Sequence, residues 1–217
     1  WKTARDKPEQ VAWLTAAEKQ NLTKILDDEQ KDIKPVRNYR DAFKSKNVIL
    51  LCAQYFCWSI GVYGFVLWLP SIIKSASNLG MVETGWLSSV PYMAATAAMV
   101  LVSWASDRLQ NRKLFVWPML LIGAVCFLAS YLVGGGSFWL SWTLLVIAGA
   151  SMYAPYGPFF AIIPEMLPKN VSGGAMALIN SMGALGSFIG AWVVGYLNGV
   201  TGSPAASYIF MGSALLL

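Results

Sequence analysis

Histidine is absent from this 217-residue sequence. That removes a His-based catalytic triad and a His-ligated zinc from anything the chain does by itself. Cysteine is scarce: Cys52, Cys57 and Cys126 lie inside apolar runs, are odd in number and have no metal-ligand spacing. They read as buried free thiols. Charge is thin as well, at 12% of residues, and beyond Lys46 its one dense cluster is Ser106 to Lys113, S-D-R-L-Q-N-R-K. The net charge of +5 does not point to nucleic acid, because most of the basic residues fall in the first 46 positions among nearly as many acids. Such a segment reads as a solvated or membrane-surface face.

What is present is apolar. With 56% hydrophobic residues and ten tryptophans, a soluble domain would leave too much apolar surface in water, and a lipid bilayer is the solvent that fits. Apolar runs extend over Val48 to Ile73, Gly85 to Ala105, Leu114 to Val133, Phe138 to Ile163 and Gly173 to Leu197, and a sixth starts near Ala205. Each complete run reaches the roughly 20 residues a helix needs to cross the hydrocarbon core. The expected fold class is therefore an all-α membrane protein, with 1–46 as a polar cytoplasmic segment and 47–217 as a helical bundle whose last helix is incomplete. Because the sequence begins at Trp1 without methionine and stops at Leu217 inside an apolar run, it is expected to be a fragment.

Loop charge orients the bundle. The segment up to Lys46, the loop with Arg108, Arg112 and Lys113, and the loop with Lys169 alternate with loops around Lys74 and Glu83, Gly134 to Ser137 and Gly199 to Pro204. Basic loops on every second turn place those turns, and the amino-terminal segment, on the cytoplasmic side. Within that segment Thr15 and Glu18 form a capping box ahead of an apolar stripe of Leu22, Ile25, Leu26 and Ile33. A stripe of this kind is expected to dock on a neighbouring surface.

Polar and small residues inside the spans mark candidate functional positions. In the first run Gln54, Trp58 and Gly61 share a face by their spacing, with Tyr55 and Tyr63 nearby. A glutamine at that depth needs partners, so its face should not point at lipid. The Phe138 to Ile163 run carries Ser151, Tyr153, Pro155, Tyr156 and Pro158. Prolines there free backbone carbonyls, which implies either a kink beside an aqueous cavity or a kinked packing helix with interfacial tyrosines. In the Gly173 to Leu197 run, Gly173, Ala177, Asn180, Ala184, Ser187 and Ala191 form a small-residue stripe, widened by Gly183, Gly186 and Gly190. Such a face lets another helix approach closely, and Asn180 is read as an interhelical hydrogen bond or as a ligand contact.

No acid or base lies in the middle of a span: Glu83 is at an outer edge, Asp107 and Glu165 at inner edges. An intramembrane enzyme would need a nucleophile with an aligned base, or a metal set, and neither is present. A titratable group for proton coupling would have to come from sequence outside this chain.

The loop S-W-A-S-D-R-L-Q-N-R-K resembles the signature of the major facilitator superfamily between the second and third helices of a six-helix half. Ser103 takes the place of the leading glycine, Asp107, Arg108 and Arg112 match, and Gln110 and Asn111 depart. D-K-P-E-Q-V-A-W-L-T-A-A-E-K, Y-G-F-V-L-W-L-P, Y-A-P-Y-G-P-F-F-A-I-I-P-E-M-L-P and G-A-M-A-L-I-N-S-M-G resemble the central loop and helices seven, ten and eleven of the anion:cation symporter family, bacterial organic-acid branch. The resemblance implies a six-transmembrane-helix half, helices seven to twelve, of a monomeric proton-coupled carrier in the bacterial inner membrane. It would import a small organic anion by alternating access, a sugar acid such as a ketogluconate or aldonate first, an aromatic or dicarboxylic acid otherwise. No cofactor is implied. The anion-binding arginine and proton-carrying acids of the family lie mainly in the other half, leaving Gln54, Tyr55, Trp58, Tyr153, Tyr156 and Asn180 here as neutral substrate contacts. Asp107, Arg108, Arg112 and Glu165 would form a cytoplasmic gate, with Arg108 or Arg112 paired to Glu165 and Asp107 near the start of the helix beginning at about Ser172. Ordinary loop salt bridges, or a membrane sensor that binds without transporting, are the alternatives on the same residues.

Overall fold

A computed structural model describes residues 8–28, 31, 39–77, 79–134 and 136–217, except for the side chain of Lys169. Among these residues the chain is helical throughout, without a strand. Its amino-terminal helix α1 (Ala16–Asp28) starts as the sequence dictates. The Glu18 carboxylate accepts the Thr15 N–H at 2.8 Å, and the Thr15 hydroxyl accepts the Glu18 N–H at 3.3 Å. These Thr15 bonds hold the Glu18 carboxyl below the usual carboxylate range. The apolar stripe departs from expectation: Leu22 and Ile25 are exposed, and the described contacts of α1 are with the turn at Pro8–Gln10. Ile33 lies outside the described residues. A short helix α2 (Tyr39–Phe43) instead seats the fully buried Ala42 beside the bundle.

Five helical spans are long and apolar enough to cross a membrane. They are α3 (Lys46–Ala76), α4 (Met81–Leu109), α5 (Trp117–Gly134, preceded by a 3-10 turn at Arg112–Phe115), the pair α6 (Phe138–Tyr153) and α7 (Tyr156–Met166), and α8 (Lys169–Thr201). The shorter apolar α9 (Ala205–Leu216) follows. At 31 residues, α3 is about 46 Å long, more than the ~30 Å hydrocarbon core. Its polar ends therefore have room to stand clear of lipid. Turn chemistry closes the spans: Gln110 at the end of α4 and Gly202 at the end of α8 are both left-handed, with φ of 51° and 61°.

The packing centre is α3, which lies against α8 along most of its length and also meets α4, α6 and α9. Small residues allow the closest approach. A Cβ at Gly190 would stand 2.7 Å from the Ile60 carbonyl oxygen, and one at Gly186 would run into the Phe56 carbonyl. The face of α8 that receives α3 is thus Gly183, Gly186 and Gly190, buried along with Ile179 and Val194. The Gly173, Ala177, Asn180 and Ala184 stripe is exposed instead, a correction to the expectation that the whole small-residue surface is one packing face. Gly61 and Gly64 admit Leu215 and Met211 of α9 in the same manner. Around this centre α6 packs on α4 and α5, and α9 closes the gap between α5 and α3.

Candidate functional site

The break between α6 and α7 organises the site. Pro155 and Pro158 lack the N–H groups that would bond the carbonyls of Ser151 and Ala154, so the helix divides at Ala154 and Pro155. Beside the break the Met152 carbonyl accepts the Trp58 indole N–H at 2.9 Å, deep in the core. A side chain of α3 thereby secures an interrupted helix that the sequence already marked as needing partners.

Aromatic rings gather at this junction. Trp58 lies 4.5 Å from Tyr156, and Tyr55 stacks on Phe159 at 5.3 Å, between ring centroids. Phe160 meets Tyr55 edge-on at 5.2 Å, and Tyr153 stacks on Tyr156 at 5.6 Å. Four of the sequence-derived candidates, Tyr55, Trp58, Tyr153 and Tyr156, are therefore one cluster drawn from three helices. Tyr55 meets Tyr156 edge-on at 6.2 Å, and Tyr63 and Tyr92 stand within electrostatic range of Tyr153, Tyr63 of Tyr156 as well. Five phenols converge here, and among the described residues no charged side chain lies at the middle of a span.

The two remaining candidates stand apart. Gln54 is half-buried and, on the face it shares with Trp58 as its spacing predicts, lines a cleft of about 240 Å³ with Trp58, Trp117, Leu120 and the end of α9, without a ring contact to the phenols. It also lines a neighbouring cleft with Asn47, Lys113 and Ile162. Asn180 is exposed on the flank of α8. Sequence reasoning did not single out Tyr63 and Tyr92 as site residues, nor Phe159 and Phe160 as its backing. A phenol near the middle of an apolar span was the available signal.

At the end of the bundle that carries Asp107, Arg112 and Glu165 a second constellation forms. Arg112 donates from Nε to Glu165 at 2.7 Å and from Nη1 to Asp107 at 2.5 Å. Its side chain is 18% exposed, while the two carboxylates are 50% and 65% exposed. Of the two arginines expected to reach Glu165, Arg112 does so, and Arg108 lies over the Trp104 ring at 4.2 Å. Gln110 Nε2 donates to the Asp107 carbonyl at 2.6 Å. The Asp107 carboxylate is thus engaged with Arg112, and α8 itself begins at Lys169 rather than Ser172. The arrangement ties α4, the turn before α5, and α7 together at one end of the bundle. With both carboxylates half exposed, each pair contributes about 0 to 1 kcal/mol.

The sequence profile described as Major Facilitator Superfamily matches residues 5–217. A putative tartrate transporter of Agrobacterium vitis is 30% identical, over 98% of this chain and 47% of the relative. A quinolone resistance transporter of Acinetobacter baumannii is 29% identical, over 97% of this chain and 49% of the relative. A probable galactarate/D-glucarate transporter of Bacillus subtilis is 26% identical over 74% and 36% respectively. The chain spans about half the length of the curated relatives it matches over nearly all its length. On this likeness the chain belongs to the Major Facilitator Superfamily, and five of its helical spans are long and apolar enough to cross a membrane.

Proposed function

We propose that this chain is the carboxyl-terminal half of a proton-coupled symporter that imports a small hydroxylated organic acid by alternating access. The observation that carries the reading is the phenolic and aromatic cluster at the α3, α6 and α7 junction, near mid-span and without a charge. An uncharged cluster of this kind is suited to sugar hydroxyls and to the apolar faces of carbon chains, not to a bare carboxylate. The cation that binds the carboxylate and the acid that carries the proton are assigned to the other half of the full-length protein. Relatives named for tartrate and for galactarate/D-glucarate support a hydroxy acid as the substrate class. A sugar acid is the first choice and a hydroxylated dicarboxylate the second.

In this scheme Tyr55, Trp58, Tyr153 and Tyr156 form the substrate-facing wall and its support. Gln54 and Asn180 contribute from the sides when the two halves close on the substrate. The Arg112, Asp107 and Glu165 contacts hold the cytoplasmic side shut and release in the other state. The protein works as a monomer in a bacterial inner membrane, with the segment before α3 in the cytoplasm.

The test is uptake by the purified full-length protein in sealed liposomes. Labelled tartrate, glucarate and gluconate are offered with and without an imposed pH gradient, acid on the substrate side. Accumulation of at least one acid, several-fold greater with the gradient, is the expected result. Binding without movement of label would identify a sensor instead, and movement indifferent to pH would remove the proton from the scheme.

A further inference from the structure

The five phenols of the junction are not equivalent. Tyr55 is 7% exposed and enclosed by rings, and Tyr92 spends its hydroxyl on the Val66 carbonyl at 3.2 Å. Trp58, at 1% exposure, spends its N–H on Met152. Tyr63 differs: it is 42% exposed near the midpoint of α3. On one side of it α8 presses against the backbone of Phe56 and Ile60, and on the other the Tyr92 side chain of α4 reaches Val66. Tyr63 therefore falls on the strip of α3 left open between α8 and α4. Tyr63 stands about two turns along α3 from Tyr55, whose ring meets Tyr156 edge-on at 6.2 Å, which sets the strip toward the α6 and α7 break, and its electrostatic reach to Tyr153 and Tyr156 agrees with that placement.

We propose that Tyr63 is the specificity-determining residue of this half, its exposed phenol hydrogen-bonding a hydroxyl on the carbon chain of the organic anion beside Tyr153 and Tyr156. The assignment rests on the transport reading above. A phenol donates and accepts, so it matches a substrate hydroxyl in either sense. A site built to hydrogen-bond a hydroxyl discriminates against the analogue that lacks it, because its own polar group is then left unpaired. Tyr55, Tyr92 and Trp58 act as positioning residues that fix the wall against which Tyr63 stands.

The experiment compares wild type, Tyr63→Phe, Tyr63→Gln and Tyr196→Phe in the full-length protein by counterflow in liposomes. For whichever of tartrate, glucarate or gluconate the wild type carries, KM is measured for that acid and an inhibition constant for its dehydroxylated analogue, succinate, adipate or hexanoate. Removing the Tyr63 hydroxyl is expected to raise KM for the hydroxy acid about 10-fold and to leave the constant for the analogue unchanged. Tyr63→Gln keeps a donor and an acceptor and is expected to restore most of the preference. Tyr196, an exposed ring stacked on Trp192 of α8, is expected to move neither constant when changed to Phe. Equal loss for both acids, or no change in either, overturns the role of Tyr63 while transport stands. A wild-type protein that moves none of tartrate, glucarate and gluconate overturns the substrate reading, and this assignment with it.

Discussion

Gly186 and Gly199 lie on one helix and differ in what faces them. A Cβ at Gly186 runs into the Phe56 backbone carbonyl, whereas one at Gly199 meets nothing within 4 Å. Backbone cannot step aside as a side chain can, so Gly186→Ala is expected to cost about 1 to 3 kcal/mol through overpacking. Gly199→Ala is expected to be neutral or slightly favourable, since alanine is the better helix former. Thermal unfolding of the full-length protein in detergent checks both, with Gly186→Ala melting several degrees lower and Gly199→Ala unchanged. The presence of small residues on this helix was legible in the sequence, but the choice of face was not. Gly183, Gly186 and Gly190 and the stripe through Asn180 have the same period, and only the position of α3 separates a packing surface from an exposed one. For the aromatic residues the sequence did better. Tyr55, Trp58, Tyr153 and Tyr156 were readable as polar-tipped rings at membrane depth, whereas the approach of Tyr63 and Tyr92 depends on how α3 is turned and on α4 arriving at the same place.

The broken helix α6 and α7 joins the two constellations. Its break bears on the ring cluster through Trp58 and Tyr156, and its far end carries Glu165 to Arg112. If α7 moves as a unit about Ala154 and Pro155, loss of the Glu165 contact releases the end of α7 that the proposed orientation sets at the cytoplasm. Glu165→Gln is expected to shift the closed-to-open ratio on the cytoplasmic side by up to about 5-fold, the reach of a pair contributing 0 to 1 kcal/mol. Labelling by a membrane-impermeant thiol reagent checks this, with a reporter cysteine placed on the inner half of α7 and the native cysteines replaced. Arg112→Ala, which loses both carboxylates, is expected to increase labelling further. Unchanged labelling in both variants would make these ordinary surface pairs. The prolines announced the break and the charges at the span ends announced an ion pair. Which arginine takes Glu165 was settled by the 3-10 turn at Arg112–Phe115, which turns Arg112 toward α7 while Arg108, still on α4, lies on Trp104.

For the molecule as a whole, the alternation of basic and neutral turns makes a prediction about sidedness. A reporter that is active only outside the cytoplasm is expected to work when fused after Gly136 or Gly202 and to fail when fused after Asn111 or Pro168. The reverse pattern would invert the orientation and, with it, the assignment of Arg112 and Glu165 to a cytoplasmic gate. The strip of α3 left open between α4 and α8 is where a second six-helix half would sit in the proposed carrier, and a substrate held there would touch both halves. Exposed aromatic residues of this chain, Trp86, Trp104 and Trp192 among them, are then divided between lipid and that second half.

Chain order alone determined the solvent, the number and approximate position of the spans, the alternation of their turns and the first turn of α1. Each of these follows from local composition: apolar length against bilayer thickness, loop charge, and a threonine three residues ahead of a glutamate. Tertiary structure decided which face of α8 receives α3, which arginine reaches Glu165, and that phenols from α3, α4, α6 and α7 converge while Gln54 and Asn180 remain apart. Those outcomes depend on the rotation of each helix about its own axis. In a membrane span nearly every residue is apolar, so the sequence carries little contrast between faces, and packing against the neighbouring helices sets the rotation.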